Sequence, residues 1–332
     1  MKKRVLITAL SLILYCTLTS CSFNAHVEDY DDLEVDNKED IAIDQAEEFA
    51  SQEDNESEEN DYPENSEDEM ITLTYTVKIL ENVWESANME NSRFQTSEEF
   101  INQVDYYISA ISEFVLIENW YEQYPDIPSI EISLQNSFSI TTVRRNRIYI
   151  NLNKLAFEHD LAPIAHEIAH VIVKSSLYRT ESLDEGLASY LHERFGDNPT
   201  VHTWGIDAHV LANMFFSYYE EEYNTVFSVI GTRDRRQEEY MLGEQFLRQI
   251  FYVLSHSFAK YLIDTYGIED FMKLHDATNS LIDEYYVLYG KSFDEIKSEW
   301  HSVILSSPSM SLEEYDSHLE ELFDKHNWQW GS

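Results

Sequence analysis

Ala165-His166-Glu167-Ile168-Ala169-His170 lies near the middle of this 332-residue chain and contains two histidines four positions apart. On an α-helix, side chains with this spacing lie on one face, about 5–6 Å apart at Cβ, so both imidazoles can bind one metal ion. Glu167 is rotated by about 100° from His166 and can reach a metal-activated water without binding the metal itself. The stretch therefore predicts a helix that carries two zinc ligands, His166 and His170, and a general base, Glu167.

The flanking sequence favours burial of this helix. Ile164, Ile168, Val171 and Ile172 form an apolar stripe that would bury the opposite side of the helix, and Asp160 with Pro163 is typical of a helix start. Before it, residues 129–134 and 147–152 alternate like strands. A strand pair that leads into a buried helix supports a metal site. The alternative is an amphipathic helix with two polar residues on its exposed side.

A third ligand is expected because catalytic zinc usually has three protein ligands and one open position. Glu185, in Ser182-Leu183-Asp184-Glu185-Gly186, is the best candidate. The alternative is a capping box, in which Glu185 bonds back to Ser182 at a helix start. Gly186 costs a helix about 1 kcal/mol relative to Ala, which indicates a close backbone approach.

Cysteine usage limits the kinds of zinc site that are possible. The chain has only two cysteines, Cys16 and Cys21. Since closed structural zinc sites are usually rich in cysteine, such a site is excluded. An open site of two histidines and one glutamate remains.

These residues resemble the gluzincin zinc metallopeptidases, in particular the peptidase MA-like group related to thermolysin and aminopeptidase N. The likeness rests on His166 to His170 and on Leu183-Asp184-Glu185-Gly186-Leu187-Ala188-Ser189-Tyr190. It implies one Zn²⁺ per chain, bound by His166, His170 and Glu185, with Glu167 as the base.

Residues 252–267 also resemble the downstream helix of that group, in which a tyrosine can face the metal. The resemblance assigns this position to Tyr252, which would meet the developing oxyanion. His256 lies one turn further along, so both side chains are candidates to face the cleft. The alternative is that both lie on an exposed side of the helix. His192 and the remaining histidines are expected to be ordinary surface or packed residues.

Three features depart from the family pattern. Only 14 residues separate His170 from Glu185, which is fewer than in thermolysin or aminopeptidase N. Ser189 stands where thermolysin-like enzymes have an aspartate, and the Gly-x-Met-x-Asn signature of aminopeptidase N is absent before His166. These departures argue against aminopeptidase activity.

The resemblance implies a zinc-dependent peptidase whose substrate is a peptide or a protein. Residues 147–152 would pair with an extended substrate if they form an edge strand. The alternative from another class is a lipid-anchored binding or scaffold protein that has the fold but little or no turnover.

The first 21 residues resemble a bacterial lipoprotein signal. Three basic residues and an apolar run precede Leu18-Thr19-Ser20-Cys21, and the run is too short to span a membrane. The likeness implies lipidation of Cys21 and an extracytoplasmic location, anchored to the bacterial cell membrane. The alternatives are an ordinary cleaved signal or an uncleaved anchor.

Residues 22–69 contain 21 acidic residues and one basic residue, which together carry about half of the net charge of −41. So acidic a segment, with few large apolar residues, is expected to be a disordered linker. A cation-binding or regulatory tail is the alternative. The rest of the chain is also acidic and has no basic stripe, which argues against a nucleic-acid partner.

The remaining sequence predicts an α+β fold that is predominantly helical, as in gluzincins. Residues 70–196 would form an α+β part with a small mixed or antiparallel sheet and the zinc helix, and residues 197–332 a helical part. Helices are expected at residues 73–87, 98–121, 244–266, 269–274, 293–305 and 312–323, and Phe195 to Pro199 marks a helix end.

Overall fold

Twelve α-helices and a four-stranded sheet make up the part of the chain that the structure, a computed structural model, describes: residues 74–80, 87, 89–144, 147–174 and 180–328. The strands are β1 (Thr76–Ile79), β2 (Ser129–Gln135), β3 (Ile140–Arg144) and β4 (Arg147–Asn153). The prediction of a mostly helical α+β fold with a small mixed sheet is confirmed. The predicted signal segment and acidic linker lie outside the described residues.

The helices are α1 (Ser97–Phe114), α2 (Lys154–Glu158), α3 (Ile164–Ile172), α4 (Glu181–Phe195), α5 (Ala208–Tyr218), α6 (Glu220–Phe227), α7 (Arg236–Leu242), α8 (Gln245–Tyr266), α9 (Ile268–His275), α10 (Leu281–Tyr289), α11 (Phe293–Ser306) and α12 (Leu312–Lys325). Short 3₁₀ helices lie at Met89–Asn91 and Trp120–Gln123. Within the described residues, no helix is long and apolar enough to cross a membrane.

The sheet has the order β1-β2-β4-β3, with parallel pairs except for the antiparallel pair of β3 and β4. The prediction that residues 147–152 form an edge strand is wrong, because β4 lies between β2 and β3. Strand β3, which the sequence analysis does not predict, follows β2 after a short turn and forms one edge of the sheet.

Two predicted helices near the start of the described region differ from the structure. Residues 76–79 form β1 rather than part of a helix, since Thr76, Val77 and Ile79 suit a strand and pair in parallel with β2. The helix expected at 98–121 ends at Phe114, where Leu116 takes a left-handed backbone conformation with φ of 61°.

Part of the hydrophobic core lies between the sheet and α3. Ile130, Ile132, Ile148 and Ile150 alternate along β2 and β4 and are fully buried on one face. Helix α3 packs against β3 and β4 and also contacts α1 and α4, and all nine of its residues are buried. Because α3 is covered on every side, any polar residue it carries is held inside the protein.

Helix α4 packs against α3 and also against α8, and Gly186 allows the close contact between α4 and α8. An added Cβ at Gly186 would lie 2.3 Å from the carbonyl oxygen of Ser255 on α8. The predicted close backbone approach is confirmed. Helix α4 ends at Phe195 with Gly196 as its C-cap, as the sequence predicts.

Candidate metal centre

Helix α3 begins directly after Pro163, which is its N-cap residue. Asp160 is not the cap: its backbone has a φ of 57°, and its carboxylate forms an ion pair with Arg93 at 3.1 Å. At the other end, the hydroxyl of Tyr124 donates to the carbonyl of Val171 at 2.9 Å, which satisfies a carbonyl that the helix leaves without a partner. The C-terminal end of α3 is therefore tied to the segment that carries Tyr124.

Three ligand-type atoms converge between α3 and α4. The Nε2 atoms of His166 and His170 are 3.2 Å apart, and Oε2 of Glu185 lies 3.3 Å from the first and 3.6 Å from the second. Ligands about 2.0–2.1 Å from a tetrahedral zinc ion are about 3.3 Å from one another. A buried group of two histidines and one glutamate that could hold a metal ion is thus present, and its spacing fits zinc.

Burial decides between the site and the exposed-face alternative for α3. His166 is 3% exposed, His170 is 5% exposed, and Glu167 and Glu185 are fully buried. Polar side chains buried so completely need partners, which a shared metal ion would provide. The exposed-face alternative is wrong.

The capping-box alternative for Glu185 is also wrong. Helix α4 has Thr180 as its N-cap, so Glu185 is its fifth residue and lies beyond the capping position. The hydroxyl of Ser182 instead accepts a hydrogen bond from the backbone N–H of Gly231 at 3.0 Å. Glu185 therefore does not cap α4, and its Oε2 lies close to the two histidines.

The charge of Glu185 is stabilised by the histidines. Burial alone would raise the pKa of its carboxyl, but the adjacent rings of His170 and His166 outweigh burial and hold the pKa well below its usual range. An ionised carboxylate is the form that binds a metal ion.

Glu167 lies on the side of α3 that faces the sheet edge. Its carboxylate Oε2 accepts a hydrogen bond of 2.7 Å from the hydroxyl of Thr141 on β3. Its carboxylate is not among the three converging ligand atoms.

Tyr252 and His256 are both fully buried on α8, so the alternative that they lie on an exposed helix side is wrong. Nε2 of His256 lies 2.7 Å from Oε2 of Glu193, and this contact engages the ring. Both side chains therefore lie inside the protein, and that of His256 is paired with Glu193.

His202 is a site neighbour that sequence reasoning missed. Its ring stacks on Tyr252, with centroids 3.7 Å apart and planes at 9°. Burial, followed by the nearby His166, lowers the pKa of His202 to about 3, so the ring is neutral at pH 7. His202 lies in a turn between α4 and α5 and belongs to no recognisable motif, so the sequence offered no signal for it.

A buried ion pair lies next to the ligands. Nε2 of His275 on α9 bonds the carboxylate of Asp184, and both line a narrow crevice with His170. Burial alone would lower the pKa of His275, but Asp184 and then Asp276 raise it to about 9. This pair ties α9 to the residue that precedes Glu185.

His192, in contrast, is a packed residue, as expected. Its Nε2 bonds Oδ1 of Asn198 at 3.1 Å, and the Asn198 amide donates to the carbonyl of Ala162.

Comparison of the chain with family models, curated proteins and solved structures finds no match.

Proposed function

We propose that this chain is a zinc-dependent peptidase of the gluzincin kind that hydrolyses peptide bonds outside the cytoplasm. The observation that carries the proposal is the convergence of His166, His170 and Glu185 within 3.2–3.6 Å of one another, with the carboxylate of Glu167 one position along the same helix. These residues match both the ligand set and the base that the chemistry needs.

His166, His170 and Glu185 would hold the ion. Zinc in such a site activates a water molecule and polarises a carbonyl group. Glu167 would accept the proton of the attacking water and later deliver it to the leaving amine. The hydroxyl of Tyr252, with its ring held against His202, would donate to the oxygen on which negative charge develops.

The proposed setting follows from the first 69 residues. A lipid on Cys21 would anchor the chain to the membrane, and the acidic segment of residues 22–69 would hold the catalytic part away from anionic headgroups. The substrate would be a peptide or protein on the outer side of the membrane. Nucleic acid is not a proposed partner, because the chain is strongly acidic throughout.

The burial of the site favours a second candidate function. Since the ligands, Glu167 and Tyr252 are each no more than 5% exposed, the same residues would suit a closed metal centre in a binding or scaffold protein with little or no turnover. The two functions differ in one measurable property, which is hydrolysis that depends on Glu167.

The deciding experiment combines metal analysis with a peptide-library cleavage assay on the purified protein. Wild type is expected to contain about one equivalent of zinc and to cleave peptides. Glu167→Gln should keep the zinc and lose about 10²–10⁴-fold in turnover. Glu118→Gln, in an exposed loop, is the matched control and should behave like wild type. Stoichiometric zinc with no cleavage by wild type would favour the second candidate.

A further inference from the structure

Thr141 joins the edge strand of the sheet to the zinc helix. It lies on β3, where it is 1% exposed on the face that α3 covers. Its Oγ1 is 2.7 Å from Oε2 of Glu167 and 3.2 Å from the Glu167 backbone carbonyl oxygen. One side chain therefore contacts both the carboxylate and the backbone of the same glutamate.

A threonine hydroxyl has a single proton, so it can fully satisfy only one of these acceptors. The carboxylate is the stronger acceptor, because hydrogen bonds to ionised groups are shorter and roughly twice as strong as those between neutral groups. The two distances agree with this order. The Thr141 hydroxyl thus donates chiefly to the Glu167 carboxylate.

Such a bond adds a directional restraint to a buried carboxylate. The last torsion of glutamate is broad, so packing alone does not fix the plane of the carboxylate. Holding Oε2 fixes that plane and, with it, the direction of Oε1. A general base must lie within about 2.6–3.2 Å of the atom that carries the proton it accepts, so this direction affects the rate.

We infer that Thr141 is a positioning residue for the general base, an inference that rests on the proposed peptidase function. It acts through Glu167 and is not a metal ligand. Its role is to hold the carboxylate in the orientation that receives the proton.

Three variants separate this role from simple packing. Thr141→Val keeps the shape and removes the hydroxyl, Thr141→Ser keeps the hydroxyl and removes the methyl group, and Thr142→Val changes the neighbour that points to the other face of the same strand. Thr141→Val is expected to lower kcat by about 10- to 100-fold, with KM and zinc content unchanged. Thr141→Ser and Thr142→Val should remain close to wild type.

A second measurement does not depend on turnover. The infrared band of the Glu167 carboxylate can be identified in metal-free protein as the difference between wild type and Glu167→Gln. Loss of the hydrogen bond should shift this band in Thr141→Val, while Thr141→Ser leaves it in place.

The outcomes distinguish failure of the inference from failure of the proposed function. An unmoved band in Thr141→Val overturns the inference whatever the activity. If the band moves in Thr141→Val but kcat is unchanged, the inference is overturned as well. The proposed peptidase function would still stand in that case, provided that Glu167→Gln is inactive. Turnover that is equal in wild type and Glu167→Gln overturns the proposed function, and the inference with it. Loss of zinc together with kcat in Thr141→Val would assign Thr141 a packing role and overturn the inference.

Discussion

Replacing Gly186 with alanine tests whether close contact between α4 and α8 sets the geometry of the metal centre. The added Cβ would lie 2.3 Å from the carbonyl oxygen of Ser255, 2.8 Å from its carbonyl carbon and 3.0 Å from Cβ of Ala259. Since unstrained contacts are about 3.5 Å or longer, the two helices must separate by about 1 Å. The nearest atoms belong to the backbone, so no side-chain rotation can relieve the clash.

Two opposing effects determine the change in the free energy of unfolding. Alanine is favoured over glycine inside a helix by about 1 kcal/mol. Overpacking of an interior costs about 1–3 kcal/mol, and a backbone clash belongs at the upper end of that range. We therefore expect a net loss of about 2 kcal/mol, which corresponds to a decrease in Tm of about 4–8 °C for a domain of this size.

The metal centre should respond as well, because Glu185 immediately precedes Gly186. A shift of α4 changes the distances from Glu185 to His166 and His170 on α3, and a displaced ligand weakens zinc binding by about 10- to 100-fold. Urea denaturation of metal-free protein and competition with a chelating dye measure the two effects. Gly186→Ala combined with Ala259→Gly is the control and should not recover stability, since the Ser255 carbonyl remains. A Gly186→Ala protein about 1 kcal/mol more stable than wild type would refute the reasoning.

Three further predictions concern separate parts of the chain. Glu185→Gln should abolish tight zinc binding, and isothermal titration that finds wild-type affinity would remove Glu185 from the ligand set. In metal-free protein, the pKa of His275 is raised to about 9 in the folded state. Its pairing with Asp184 should therefore stabilise the fold fully below about pH 6.5 and lose effect as pH rises through 9. His275→Gln should flatten this part of the stability profile measured by urea denaturation, and an unchanged profile would contradict the assignment. Cys21→Ser should abolish labelling with a radioactive fatty acid and release the protein from membranes, whereas wild type without lipid by mass spectrometry would exclude the anchor.

Local chemistry explains which elements the sequence predicts well. The spacing of His166 and His170 requires a helix for any shared ligand, and Gly267 ends α8 with a φ of 93° that other residues rarely adopt. Residues 129–134 and 147–152 alternate with a period of two and form β2 and β4 to within one residue at each end. In each case, neighbours along the chain contain the whole signal.

Tertiary contacts explain the failures. Whether residues 147–152 form an edge or an internal strand depends on where β3 docks, and no pattern within those residues records it. The same holds for the start of α4: Ser182 has the sequence of a cap, yet its hydroxyl bonds Gly231 from a distant part of the chain. A local capping signal is overridden here by a long-range hydrogen bond.

The residues of the candidate site also differ in how far the sequence alone predicts them. The ligands and the base were predictable because one helix and one following segment carry them. Thr141 and His202 reach the site from a strand and a turn, and their positions depend on the docking of β3 against α3 and on stacking against Tyr252. Metal binding therefore tests the ligands, which the sequence predicts. A loss of kcat in Thr141→Val with zinc binding intact tests the contact between Thr141 and Glu167, which the sequence does not predict, because only the folded arrangement brings that hydroxyl to the base.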